Sequence, residues 1–137
     1  GLLQAQGKLA EAEPLFHEAV EKCRSTLGDD HPDTLSSINN LAALFYVQGK
    51  LLEAEPLYRE ALERRRSKLG QNHPHTVLSL INLGSLLQAQ GKPAEAEVLF
   101  REAFEKCRSK LGDDHPDTLS CANNLAGLLH MQGSLSE

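Results

Sequence analysis

The residues in this chain best equipped for chemistry are histidines, aspartates and cysteines. His31, His73 and His115 recur at intervals of 42 residues, each followed by proline. Asp29-Asp30 and Asp33 flank the first, and Asp113-Asp114 and Asp117 flank the last. Imidazole beside carboxylate suits proton transfer or metal ligation, and the thiols of Cys23, Cys107 and Cys121 suit nucleophilic attack. None of these readings survives the spacing. Metal ligands lie about 2 Å from their ion, whereas packed helices stand about 8–10 Å apart and residues one period apart are separated further still. His73 and His75 are close in sequence, with no third ligand nearby, and His17 and His130 stand apart from the rest. The aspartates lack the glycine and distal glutamate of a calcium loop. No thiol has a plausible His/Asn partner for catalysis in its sequence context, and no glycine-rich phosphate loop exists. The expectation is therefore no enzyme, no metal and no cofactor. The repeated histidine should bond backbone near a helix start, and the acids should serve the helix dipole.

The cysteines are odd in number, scattered, and in neither metal-ligand nor redox spacing. Cys23 and Cys107 fall at the same position of the period, where the middle copy carries Arg65. That argues against a disulfide framework and for a reducing, cytoplasmic-type compartment.

The elements that must carry these residues follow from the period itself. Leu-Gly-x-x-His-Pro-x-Thr appears at 27–34, 69–76 and 111–118, and Gln-Gly keeps the same beat at 6–7, 48–49, 90–91 and 132–133. Self-similarity at a fixed period of this size is the signature of a stacked repeat architecture. Residues 8–49 and 92–133 agree at roughly three quarters of positions, which points to duplication of a two-repeat block with a distinct middle copy.

Within the unit from Pro74 to His115, Val77, Leu80, Leu83, Leu86 and Leu87 recur at threes and fours, the helical period. Proline suits the first helical position, where its missing N–H has no partner to lose. Gly91 reads as the left-handed cap that stops this helix. A second helix is predicted from about Pro93 to Lys110, with a stripe of Ala96, Leu99, Phe100, Ala103, Phe104, Cys107 and Leu111, ended by Gly112 in the same manner as Gly91. The middle copy keeps that stripe in Tyr58, Ala61, Leu62 and Leu69. Pro14 and Pro56 fall early enough in their helices to cause at most a mild kink. Short turns force consecutive helices to pack antiparallel, and no segment alternates like a strand. The fold class is all-α.

The chain reads as one array over 1–137, with a partial unit at 1–31, full repeats at 32–73 and 74–115, and a partial unit at 116–137. It opens on the last turn of a first-type helix, Leu2 to Gln6, followed by a second-type helix from about Leu9 to Thr26. It closes on a first-type helix from about Pro116 to Gln132 and a stub at 134–137. Gly1-Leu2-Leu3-Gln4 reads as the tail of a helix and not as a signal peptide. Each end exposes a face that a neighbour should cover, so head-to-tail self-association through uncapped terminal helices is the alternative role.

At 40% hydrophobic and 24% charged residues the chain is of the folded, soluble class. Its formal net charge of −5 offers no surface for nucleic acid. Arg59 and Arg64-Arg65-Arg66 interleave with Glu60 and Glu63, as on an exposed helix face of mixed charge. No apolar run approaches the ~20 residues of a membrane span.

The repeat resembles the tetratricopeptide repeat in its longer version, as in kinesin light chains. The resemblance rests on Asn40-Leu41-Ala42, Asn82-Leu83-Gly84 and Asn124-Leu125-Ala126, each followed by Gln-Gly, on Gly-Lys-x-x-Glu-Ala-Glu at 49–55, and on Leu57-Tyr58-x-x-Ala61-Leu62, with Phe16 and Phe100 in the outer copies. It implies a right-handed superhelical solenoid of antiparallel helix pairs. It also implies a scaffold that binds a peptide or partner helix in a concave groove lined by the first helix of each repeat. Carried over by position, the groove residues are Ser36, Asn39, Ala43, Tyr46 and Val47, then Leu78, Ile81, Ser85, Gln88 and Ala89, then Ser120, Asn123, Gly127, His130 and Met131. Asn39 and Asn123 match the family's backbone-gripping asparagines, a job suited to a group that both donates and accepts. Ile81 departs from that pattern. Asn40, Asn82 and Asn124 are expected to bond toward the adjacent helix. Helices 32–48, 74–90 and 116–132 contain no lysine or arginine, so the ligand should be a protein or peptide that is not strongly acidic.

The punctuation can be tested directly. Gly70→Val, which forces a β-branched residue onto a helix-stopping position, should lower stability by about 1–3 kcal/mol, while Pro74→Ala should cost well under half of that. Equal melting shifts for the two variants would defeat this reading.

Overall fold

The computed structural model describes residues 2–136; Gly1 and Glu137, the outer limits of the two partial units, lie outside the described residues. Six helices follow one another: α1 (Leu2–Leu27), α2 (Pro32–Val47), α3 (Leu51–Leu69), α4 (Pro74–Ala89), α5 (Pro93–Leu111) and α6 (Pro116–Ser136). No strand occurs among the described residues. Two compact units emerge, residues 1–68 and residues 69–137.

In the first unit α1 packs on α2. Val20 of α1 is buried, as are Leu35, Ile38, Leu41 and Phe45 of α2. From α3, Tyr58, Ala61 and Leu62 of the expected middle-copy stripe are buried, with Ala54 beside them, while Leu69 at the helix end is half-buried. In the second unit α5 packs on both α4 and α6. Val77, Leu80, Leu83, Leu86 and Leu87 are all buried, with Ala96, Phe100, Ala103 and Cys107 buried on α5. Leu111, expected to end that stripe, is 41% exposed because it occupies the last helical position, where the stripe runs off the packed face. The α4–α5 approach is close enough that a Cβ on Gly84 would lie 2.8 Å from Cε1 of Phe100. The ring thus rests on glycine backbone.

The two kinds of junction differ. After α2 and α4 the chain reverses at once. Gly49 and Gly91 take φ of 80°, Gly49 N–H donates to Tyr46 O and Gly91 N–H to Gln88 O at 3.0 Å, while Lys50 N–H reaches Phe45 O at 2.8 Å and Lys92 N–H reaches Leu87 O at 2.9 Å. This is the doubly bonded left-handed cap. Gly112 stops α5 in another way. It sits at φ 92°, ψ 165°, a region open essentially to glycine alone, and its N–H simply completes the helical bond to Arg108 O at 3.0 Å. The expected likeness to Gly91 is therefore corrected: here the chain leads outward into a four-residue link before the next helix.

That link is fastened by side chains. His31 is the N-cap of α2, its Nδ1 accepting from Asp33 N–H at 3.1 Å, and His73 caps α4 from His75 N–H at 3.0 Å. His115 accepts from Asp117 N–H at 3.1 Å. The repeated histidine is a helix cap, as its spacing implied. Thr34 Oγ1 donates to Gly28 O and Thr76 Oγ1 to Gly70 O, both at 2.8 Å, tying each helix start to the glycine that ended the preceding helix. Thr118 is equally buried, yet its hydroxyl finds no partner among the described residues.

Two boundaries differ from expectation. Helix α1 runs unbroken from Leu2 through Gly7 and Pro14, and α6 runs through Gly133 to Ser136. Gln-Gly reverses the chain only at 48–49 and 90–91, where a full helix with its own apolar stripe follows or precedes on each side.

Replacing threonine by the isosteric valine separates the links. Thr76→Val should cost about 1 kcal/mol by removing a made bond, whereas Thr118→Val should be neutral or slightly stabilising because an unpaired buried hydroxyl is lost. Paired denaturation curves check this, and an equal loss in both variants would contradict it.

Candidate functional site

Three of the residues expected from sequence to line a groove meet in the second unit. A cavity of about 290 Å³ opens there between α4, the C-terminal half of α5 and the start of α6. Val77, Leu78 and Ile81 supply its α4 wall; Lys106, Cys107, Lys110 and Leu111 supply the α5 wall; His115, Asp117, Ser120 and Cys121 close it from the last link and α6. Of the groove residues expected from sequence, Leu78, Ile81 and Ser120 meet here. Leu78 is 45% exposed and Ile81 half-buried, so this wall presents aliphatic surface to solvent.

The remaining groove candidates lie elsewhere on the same helices. On α4, Ser85 and Gln88 are half-buried and Ala89 is exposed, and Gln88 Nε2 lies 3.3 Å from Met131 Sδ of α6. On α6, Asn123, Gly127 and His130 are exposed. In the first unit Ala43 and Val47, with Asn40 and Leu44, face Leu9 and Phe16 of α1 across a shallower hollow of about 400 Å³. Ser36 and Tyr46 are exposed and Asn39 is half-buried, outside that hollow. Asn40 and Asn124 are exposed and Asn82 is half-buried. His17 sets its ring edge-on to Phe45, with centroids 5.7 Å apart.

Cations reach the cavity from an unexpected side. The first-type helices lack them, but Lys106 and Lys110 project from α5, a helix of the second type. Their spacing of four places them on one helix face, which is the signal that could have found them. Both are engaged. Lys106 Nζ pairs with Glu102 at 3.1 Å and donates to Gln71 O at 2.9 Å and Gln71 Oε1 at 3.1 Å, and Lys110 Nζ donates to Asn72 O at 3.3 Å.

The first unit meets the same need with ions. Arg24 clamps Glu60 through two bonds of 2.8 Å and touches Asp29 at 2.8 Å. Arg64 joins Glu60 at 3.0 Å and Asp30 at 2.8 Å, and Lys68 lies 3.7 Å from Asp30. The aspartates of this link therefore do more than face a helix dipole: they tie α1 and the link to α3. The Arg24 guanidinium holds the Glu60 carboxyl below the usual carboxylate range, and Arg64 does the same for Asp30. The mixed-charge face on α3 also needs correction. Arg59 pairs with Glu55 at 2.9 Å, but Arg65 is only 3% exposed, and burial lowers its hold on the proton. It stands at the core position that Cys23 and Cys107 occupy in the other copies, so its place in the stripe outweighs its charge.

Among the described residues no group of three or more His, Cys, Asp or Glu side chains could hold a metal ion, and no helix is long and apolar enough to cross a membrane. The sulfurs of Cys107 and Cys121, however, lie 3.4 Å apart in the cavity wall. Nothing in their sequence spacing suggested it.

A family model for the tetratricopeptide repeat matches residues 1–67, 35–109 and 76–137. The chain belongs to the tetratricopeptide repeat family. It is similar in structure to the nearly identical TPR-like repeats assigned to a kinesin light chain of Podosopora anserina, at 27% identity and a TM-score of 0.86, covering 97% of this chain and 63% of that one. A single-substitution variant of those repeats matches with 26% identity and the same TM-score and coverage. BtubC (BKLC) from P. vanneervenii shares the fold, with a TM-score of 0.83 at 23% identity, over 93% of this chain and 51% of that one. The chain thus spans about half to two thirds of the length of these structures. No curated protein matches. The array is a tetratricopeptide array of kinesin-light-chain-like type, and such arrays generally act as non-catalytic scaffolds for protein–protein interaction.

The ion pairs of the first unit make its stability depend on pH. Carboxyls depressed on folding stabilise above their unfolded values and lose that contribution as pH falls through the folded ones. The melting temperature should be level above about pH 5 and drop below about pH 4, with Glu60→Gln lowering it at neutral pH and flattening the acid limb. An unchanged acid limb in that variant would contradict the role given to Glu60.

Proposed function

We propose that the chain is a non-catalytic scaffold within a single repeat array. Its first-type helices would receive an extended peptide or partner helix, and the second-unit cavity would take one side chain of that ligand. The observation that supports this reading is the convergence of Leu78 and Ile81 of α4 and Ser120 of α6, carried over by position from the family resemblance, on one cavity. A cavity of about 290 Å³ suits one aliphatic or aromatic anchor residue. The ligand is not strongly acidic: the first-type helices carry no cation, and Lys106 and Lys110 already hold Glu102 and link carbonyls. Neither nucleic acid nor membrane fits a surface of this net charge and these helices. The odd, unbridged cysteines fit a reducing, cytoplasmic compartment.

A second reading is end-to-end self-association. It is favoured by apolar side chains exposed on the outermost helices, Leu15 at 67% on α1 and Leu119 at 51% and Met131 at 53% on α6.

Panning random linear peptides on the full chain tests both. Enriched peptides should share an apolar anchor and be poor in Asp and Glu. Leu78→Glu should weaken the best of them at least about tenfold, while Leu52→Glu, exposed on α3, should leave it unchanged. Acidic consensus peptides, or indifference to Leu78→Glu, would overturn the groove reading. Mass growing with concentration in light scattering of the peptide-free chain would favour self-association instead.

A further inference from the structure

We propose that Cys107 and Cys121 form a peroxide-oxidisable pair that closes into a reversible disulfide clasping α5 to α6 beside the cavity. Both thiols are free and buried, and their sulfurs are 3.4 Å apart although the residues are separated by fourteen positions. A disulfide needs about 2.05 Å, so the sulfurs must close by about 1.4 Å, within reach of small side-chain rotations. The apposition belongs to the fold and not to the thiols. In the first unit the equivalent positions are Cys23 and Ser37, whose Sγ and Oγ lie 3.6 Å apart. Serine is thus already accommodated opposite a cysteine at this position, and only the last copy places a second thiol there.

Access comes from the cavity, since both cysteines wall it. Peroxide is small enough to enter a space of about 290 Å³. Burial, helped by the neighbouring Cys107, pushes the Cys121 thiol up to about 12, so Cys121 keeps its proton until its sulfur is consumed. The Cys107 sulfur attacks one peroxide oxygen, the O–O bond breaks, and the departing hydroxide takes the thiol proton as water, leaving a sulfenic acid. The Cys121 sulfur then attacks the Cys107 sulfur, the S–O bond breaks, and the leaving hydroxide takes the Cys121 proton as a second water. Two thiols lose two electrons and two protons, and one peroxide becomes two waters. A dithiol reductant reverses the bond by exchange. Closure would pin the wall that carries Ser120 to the wall that carries Lys106 and Lys110, fixing the cavity's width.

The test uses the full chain, titrated with hydrogen peroxide and compared with a dithiothreitol-treated sample. Oxidation should remove two hydrogens from the intact mass. A non-reduced tryptic map should join the peptide bearing Cys107 to the one bearing Cys121, and the melting temperature should rise by about 5–10 °C, reverting with dithiothreitol. Cys121→Ser, which reproduces the Cys23–Ser37 arrangement, should fold, lose the cross-link and lose the melting shift. Cross-links through Cys23, overoxidation of Cys107 without linkage, or an unreactive pair in the folded chain would each overturn the proposal.

Discussion

Every helix pair in this chain depends on a backbone problem being solved at its link. A helix that ends inside a packed array leaves carbonyls without partners, and the next helix begins with amides in the same state. At the links before α2 and α4 one short stretch answers both needs. Glycine at positive φ lets the chain leave the helix, a histidine ring accepts the first free amide of the next, and a threonine hydroxyl returns to the glycine carbonyl. Proline at the first helical position removes one donor that would otherwise need a partner. The packing of Phe100 on Gly84, and of Leu80 and Leu83 into the core, presupposes that this geometry has been set.

The same scaffold tolerates two electrostatic solutions. Where the link carries Asp29 and Asp30, Arg24 of α1 pairs with Asp29 and with Glu60, and Arg64 and Lys68 of α3 pair with Asp30. Where the link carries Gln71 and Asn72, lysines at the equivalent helical positions of α5 bond carbonyl and amide oxygens. The helices and their caps are kept while the cross-link changes from ionic to neutral. That difference alters the surface without altering the fold, and it leaves Lys106 and Lys110 at the rim of the second-unit cavity.

The helices, their order and most of their limits were legible because the signals for them are local. Proline, glycine and the three-and-four spacing of apolar residues act within one turn, and the histidine cap needs only the amide two residues on. What escaped needs contacts that run from one helix to another. Arg65 reads as a surface residue by type, and only its place in the stripe buries it. Gln6-Gly7 and Gln132-Gly133 read as turns by type, yet both lie within continuous helix. Cys107 and Cys121 meet because a fourteen-residue path through a capped link brings the end of one helix beside the start of the next. Leu78, Ile81 and Ser120 could be named through family resemblance, whereas the lysines opposite them could not, since they come from the other class of helix.

In the second unit α5 packs on α4 before it and α6 after it, and in the first unit α1 packs on α2, its successor. Contacts between chain neighbours require only short loops to close, so little entropy is lost before packing begins to compensate for it. Such a chain has no need to wait for its C-terminus. Each capped link can set as soon as its two helices have left the ribosome, and folding can advance in step with synthesis, one helix at a time.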